Sequence, residues 1–315
     1  MSVAGFVREA QRHMEYRRLG STDLQVSSLG LGCVTFGREI DRETAFQILD
    51  HATERGISLL DTAAAYAAGA SEQVVGDWMS ARGMRDRIVL ATKVHGTLRR
   101  EQVIASAEAS LQRLQTDRID LYQLHHWSSE TPLDETLEGL TVLQRQGKIR
   151  YAGCSTWKAW QLCRALLMES RQGSLPISSV QPPYNLVQKE LDDELLPLCA
   201  DQQVGVLSYS PLAAGFLTGK YRRDGPVPSG TRFDVIPGHQ PIYFTDRGFG
   251  VVAQLERIAR QTGRSMTDLA LAWVLSRPHI TAVLIGSRHT GQIDQAFSAE
   301  QAGLAPDLRQ QLDSL

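Results

Sequence analysis

Residues 59–72, LLDTAAAYAAGASE, decide how the chain is read. A short, mainly apolar run over 57–60 stops at Asp61, Tyr66 follows in the next loop, and a small-residue stretch closes on Ser71 and Glu72. Such a run before a loop and a helical pattern predicts a buried parallel strand. An acid at the carboxyl end of that strand, with a phenol just beyond, stands where α/β folds keep their chemistry. Taken alone, the two residues are read equally well as a turn cap and a packing aromatic.

The same strand-then-helix unit recurs on both sides. Residues 16–24, with Gly20-Ser21-Thr22-Asp23 in the middle, predict a hairpin, and 28–32 the first small strand. Ala45, Ile48, Leu49 and Ala52 form a helical stripe over 42–55 that Gly56 stops. Strands are then expected over 57–60, 88–91, 119–124, 149–154, 177–180, 204–207 and 281–284. Helices are expected over 71–80, 100–114, 132–145, 157–169, 189–202, 251–260, 267–276 and 291–299. The polar residues that close successive strands are Asp61, Lys93, His125, Ser155, Gln181 and Tyr209. Eight such units predict an α/β fold, a (β/α)8 TIM barrel with an N-terminal β-hairpin and a long Gly- and Pro-containing loop, 211–250, after strand 7. No linker divides the chain, so residues 14–315 are expected to be a single domain behind a loose extension over 1–13.

At 315 residues and a formal net charge of −2, the chain carries neither a nucleic-acid nor a membrane-surface footprint. No apolar run approaches the ~20 residues a membrane helix needs. Residues 1–13 include Arg8, Glu9 and Arg12 and lack the apolar core of a signal peptide. The four cysteines, Cys33, Cys154, Cys163 and Cys199, are scattered without a C-x-x-C pair, which predicts reduced thiols and a cytoplasmic protein.

In a barrel the carboxyl ends of all strands face one mouth, so Asp61, Tyr66, Lys93 and His125 are expected to meet there. The quartet suits proton transfer to a carbonyl oxygen. A phenol is a poor acid at neutral pH; a neighbouring ammonium lowers its pKa, and a carboxylate keeps that ammonium charged. A histidine opposite can orient the substrate oxygen. Lys93 alone is equally a Schiff-base nucleophile or a salt-bridged support, and His125 a satisfied core residue. Strand alternation lets only one of His125 and His126 face the mouth.

From about residue 16 to 297 the chain resembles the aldo-keto reductase superfamily. The matching stretches are YRRLGSTDLQVSSLGLG, LLDTAAAYAAGASE, VLATKV, IDLYQLHHW, GKIRYAGCST, VQPPYN, LSYSPLAAGFLTGK and VLIGSRHTGQ. The resemblance implies Asp61, Tyr66, Lys93 and His125 as catalytic residues, with His125 rather than His126 following the L-Y-x-x run. It implies reversible reduction of an aldehyde or ketone, sugar-like compounds included, with NADPH/NADP+ as the usual cofactor, NAD left open and no metal. The partner implied is a small-molecule carbonyl; nucleic acid and membrane are not expected, and oligomeric state is unread. Some relatives associate with channels and hold NADPH as redox-sensing modules with little turnover; these can lack the histidine.

Gly30-Leu31-Gly32 does not complete a Rossmann fingerprint, because the next glycine is Gly37 and no helix opens there. Barrels commonly bind phosphate after strands 7 and 8, which points to the run from Ser210 through Leu212, Gly215 and Thr218 to Lys220. Tyr209 is expected to stack on the nicotinamide, and Ser155 and Gln181 to bond its carboxamide. Gly286, Ser287 and Arg288 suit a 2′-phosphate. Gly32, Thr35 and Gln292 join the cofactor set by resemblance. Three departures from the family pattern bear on cofactor affinity and on NADP over NAD. Ser155-Thr156 replaces Ser-Asn, Gln295-Ala296 replaces Glu-Asn, and Ala67 replaces the glycine after the tyrosine. Phe36, Trp127, Phe233, Tyr243, Phe244 and Phe249 are candidates either for an apolar pocket mouth or for packing.

Overall fold

The structure, a computed structural model, describes residues 13–315. The expected loose extension over 1–13 lies outside these residues except for His13, whose carbonyl accepts from Gln301 Nε2.

Strand alternation sorts the side chains. In β4 (Leu59–Asp61), Leu59 packs with Ala91, Leu121, Leu207, Ala282 and Leu284 in one cluster inside the barrel, while Leu60 joins the larger cluster between strands and helices. The strands in chain order are β1 (Tyr16–Arg18), β2 (Gln25–Ser27), β3 (Leu29–Gly32), β4, β5 (Val89–Lys93), β6 (Ile119–Leu124), β7 (Ile149–Ser155), β8 (Ile177–Gln181), β9 (Gly205–Ser208) and β10 (Ala282–Gly286). Among the described residues, β3 to β10 close into a barrel of eight strands, each paired in parallel with its neighbours, and β10 returns to β3. The expected (β/α)8 barrel is therefore what the chain forms. The antiparallel pair β1–β2 is the expected hairpin, and its Leu19, Leu24 and Val26 plug the end of the barrel away from the strand carboxyl ends.

Around the barrel run α1 (Arg42–Glu54), α2 (Ala70–Arg82), α3 (Arg100–Leu114), α4 (Leu133–Arg145), α5 (Ala159–Gln172), α6 (Leu195–Asp201), α7 (Arg232–Val235), α8 (Gln240–Tyr243), α9 (Asp246–Thr262), α10 (Met266–Leu275), α11 (Thr290–Ala302) and α12 (Pro306–Asp313). Three expectations need correction. The helix expected over 189–202 is a short 3-10 turn, Glu190–Asp192, followed by α6. Pro197 is the reason, since a helix begun at 189 would place it in the interior, where it lacks an N–H and clashes with the previous turn. The segment 211–250 is not a plain loop: it holds α7, α8 and the start of α9, whose first turn Thr245 caps by accepting from the Gly248 N–H. Helix α12 was not expected; Pro306 in its first turn is the signal that marks its start.

The aromatic residues of that segment also find a different use. Phe216, Phe233 and Tyr243 are buried and pack with Tyr221, Phe244 and Phe249 into an aromatic group continuous with the main core. Phe36 is fully buried in the main core. These rings hold the segment together rather than line a pocket mouth. No helix of the described residues is long and apolar enough to cross a membrane.

Behind β5 lies a buried ion pair that ties three elements together. Glu72 of α2, fully buried, accepts from Thr92 Oγ1 at 2.5 Å and from Arg113 Nε of α3 at 2.7 Å. Removing one partner leaves a buried charge without its counter-ion. Arg113→Met should therefore lower unfolding free energy by about 3 kcal/mol in a urea titration. The same change at exposed Arg260, paired with Glu256 one turn away, should leave it unaltered. Equal effects at the two sites would refute this account of Glu72.

Candidate active site

Alternation within β4, β5 and β6 turns Asp61, Lys93 and Gln123 to the same side as Leu59, Ala91 and Leu121, at the carboxyl end of the barrel. Lys93 is completely buried, and its Nζ has three acceptors: Asp61 Oδ2 at 2.5 Å, the Thr62 carbonyl at 2.9 Å and Tyr66 Oη at 3.2 Å. An ammonium has three protons to donate, so the group is saturated. Asp61 Oδ1 accepts from Gln123 Nε2 at 2.9 Å and Gln181 Nε2 at 2.8 Å, and Gln181 Nε2 also reaches Gln123 Oε1 at 3.1 Å.

Tyr66 arrives from the turn after β4. Ala67, Ala68 and Gly69 have φ of 49°, 52° and 92°, three left-handed residues in series. Ala67 thus occupies the conformation that makes glycine the common residue there, at some strain. At Gly69 a Cβ would lie 2.7 Å from the Arg113 side chain, so only glycine fits without displacement. The Tyr66 ring meets His125 edge-on, with centroids 5.7 Å apart. His125 is half-buried and His126 exposed, as alternation requires of neighbours at a strand end.

The electrostatics differ in one respect from the sequence expectation. Burial pushes the Tyr66 phenol above its ordinary value, and the opposing pull of Lys93 does not overcome it. The phenol therefore keeps its proton in this site. Burial also opposes charge on Lys93, but Asp61 and Tyr66 together raise its pKa, so it stays an ammonium. His125 is pushed down to about 4 by burial first and by the Lys93 charge second, leaving a neutral imidazole.

The remaining sequence-derived residues lie on the adjoining rim. Ser155 closes β7 and donates to the Gln181 carbonyl at 3.0 Å. Thr156 has φ 59°, a region that suits asparagine better than a β-branched residue, and its hydroxyl bonds the Ser155 carbonyl at 2.7 Å. Tyr209, just past β9, is half-buried and electrostatically coupled to Tyr66 and Lys93. Beyond it Ser210, Ala213, Ala214, Gly215 and Gly219 all have positive φ. This curls the backbone in the way that anion-binding concavities do. Leu212 and Thr218 belong to the same curl, and Thr218 Oγ1 donates to the Gly215 carbonyl at 2.8 Å. Lys220 Nζ lies over Gly215, 3.1 Å from where a Cβ would stand, and is close enough to Arg288 for the two charges to repel.

β10 pairs with both β3 and β9, which brings their loops side by side. Gly32 and Gly286 face each other in the β3–β10 register, and Thr35 Oγ1 donates to the Ser287 carbonyl at 3.4 Å. The Arg288 N–H donates to Gln292 Oε1 at 2.8 Å. Gln295 is exposed and Ala296 buried, so the family's Glu-Asn pair has no polar counterpart here beyond Gln295. A curl of left-handed backbone, two cations and Ser287 fit a phosphate-bearing dinucleotide. Two residues escaped the sequence reading. Gln123 is one; its signal is a polar residue inside an apolar strand, LYQL. The other is Arg232 of α7, half-buried, 3.4 Å from Glu39 and electrostatically coupled to Tyr66. Its only signal is a cation after the Pro-Ser-Gly turn.

His125 gives a direct check. Because its charged form is disfavoured, its imidazole resonances should stay flat through neutral pH and move only near pH 4 in an NMR titration. A step near the free value of about 6.5 would contradict the burial described.

A model of the aldo/keto reductase family matches residues 28–315. The uncharacterized oxidoreductase YrpG of Bacillus subtilis (strain 168) is 34% identical, over 96% of each chain. The aldo-keto reductase YhdN of the same organism is 33% identical over 89% of this chain and 87% of its own. A probable voltage-gated potassium channel subunit beta of Arabidopsis thaliana is 32% identical over 91% of each. By barrel, site and sequence together, the chain belongs to the aldo/keto reductase family.

Proposed function

We propose that residues 14–315 act as one domain that reversibly reduces the carbonyl of a small aldehyde or ketone, with NADPH as the cofactor. The observation that carries this reading is the single Lys93 Nζ shared between Asp61 at 2.5 Å and Tyr66 at 3.2 Å. When bound, the nicotinamide supplies the hydride. Tyr66, protonated and half-buried, donates the proton that the reduced oxygen requires. Lys93 stabilises the phenolate left behind, and Asp61 keeps Lys93 charged and fixed. The neutral His125 ring, edge-on to Tyr66, orients the carbonyl oxygen through one N–H.

Ser155, Gln181 and Tyr209 would hold the nicotinamide, with Gly32 and Thr35 beside it. Ser210, Leu212, Gly215, Thr218 and Lys220 would hold the diphosphate, and Gly286, Ser287, Arg288 and Gln292 the adenosine end. The Lys220–Arg288 pair favours the extra phosphate of NADP over NAD. Four cysteines outside any disulfide support a reducing, cytoplasmic location.

A Schiff-base lyase needs a free, neutral amine, whereas all three Lys93 protons are engaged and its charged form is favoured. A redox-sensing module with little turnover is a second reading, favoured by the likeness to a protein named as a channel subunit. His125 beside Tyr66 weighs toward turnover. The test is Tyr66→Phe, which should cut kcat by roughly 10²–10⁴-fold while cofactor affinity holds. Wild-type turnover by that variant on the best substrate of a carbonyl panel would sink the proposal.

A further inference from the structure

We infer that Gln123 is a positioning residue of this site, holding the Asp61 carboxylate so that Lys93 remains shared with Tyr66; the inference rests on the reductase reading above. Four inward side chains meet across the barrel mouth: Asp61 from β4, Lys93 from β5, Gln123 from β6 and Gln181 from β8. All four are buried. The two carboxylate oxygens are divided, Oδ2 to the ammonium and Oδ1 to the two neutral amides. Amide donors stabilise negative charge without adding a cation that would compete with Lys93. Gln123 also accepts from Gln181, so it aims the second amide as well as supplying the first.

Without the Gln123 donor, Oδ1 keeps Gln181 alone. Negative charge on the carboxylate is then less spread, and it draws harder on Lys93 Nζ. The Lys93 bond to Tyr66, already longer at 3.2 Å than the 2.5 Å bond to Asp61, weakens in consequence. Asp61 also acts directly on Tyr66, disfavouring the phenolate. Both effects make the proton-bearing phenol a weaker acid. Gln123 touches none of the atoms that react, so its influence passes entirely through Asp61.

Two variants test this. Gln123→Met keeps length and removes the donor. It should lower kcat about 10-fold while cofactor affinity and carbonyl KM stay within about twofold, a split that expresses lost transition-state stabilisation. Gln123→Glu keeps the shape and makes the donor titratable. Protonated, the introduced carboxyl still donates to Oδ1; ionised, it repels Asp61 and should titrate above the usual carboxylate range. This variant should approach wild-type kcat on the acid side and lose about 10-fold or more as the new carboxyl ionises.

The other titratable or charged groups that act on this cluster are Cys33 after β3, Tyr66 itself, His125 after β6, Tyr209 after β9 and Arg232 of α7, while the exposed His95 and His126 act on His125. They are common to both proteins, so the difference between variant and wild-type profiles isolates the new carboxyl. A second readout needs no turnover. The ¹³Cζ resonance of Tyr66, assigned with Tyr66→Phe, should move in the same pH step in Gln123→Glu and stay flat in the wild type.

Both effects together support the inference. Wild-type kcat in both variants overturns it, as does a pH-independent loss with no step at Tyr66, which marks a packing role only. Should Gln123→Met fail to fold, Gln123→Glu still decides within one protein as pH changes. If the wild type reduces no carbonyl, the reductase reading fails, and the Tyr66 resonance alone decides the role of Gln123.

Discussion

A buried ammonium is the constraint on which this structure turns. Lys93 sits in the barrel with no access to water, and placing a bare charge there would cost several kcal/mol. The cost is offset only if every proton finds an acceptor and a counter-ion lies close. Asp61, the Thr62 carbonyl and Tyr66 supply these, from a strand, its first loop residue and the turn beyond. The requirement extends outward, because Asp61 must then have its other oxygen satisfied, and Gln123 and Gln181 do that from across the barrel. A closed barrel can meet such a demand because every strand turns alternate residues inward, and those at the carboxyl ends of β4, β5, β6 and β8 converge.

The layout below that layer is apolar. Leu59, Ala91, Leu121, Leu207, Ala282 and Leu284 fill the interior, and the hairpin residues Leu19, Leu24 and Val26 cap it. A small alanine beneath Lys93 and leucines beneath Asp61 and Gln123 follow from the two-residue step of each strand. Scaffold and chemistry are therefore written on the same strands, one residue pair apart. The wall on the outer face is tied separately, by Glu72 to Thr92 and Arg113, so the neighbour of Lys93 in sequence anchors β5 to the helices.

Much of this was legible from the chain. Short apolar runs ending in Asp61, Lys93, Ser155 and Gln181 gave the strands and their open end, because burial on both faces leaves a recognisable pattern. What stayed hidden depends on contacts between distant residues. Gln123 reads as an interruption of an apolar strand until Asp61 and Gln181 are seen beside it. The lowering expected for Tyr66 from Lys93 is outweighed by burial, which no spacing reveals. The aromatic residues of 211–250 pack on one another and extend the main core, and Pro197 cut short a helix that periodicity alone extends. Ala67 and Thr156 carry left-handed backbone that their residue types do not announce.

The central claim is that the Lys93 charge, shared with Tyr66, lowers the barrier to proton donation. Single-turnover oxidation of pre-bound NADPH by a saturating carbonyl, compared between the wild type and Lys93→Met, tests it most directly. The account predicts a rate lower by roughly 10²-fold or more at unchanged cofactor affinity. An undiminished rate, or reductive trapping of the wild-type carbonyl on Lys93, would contradict it.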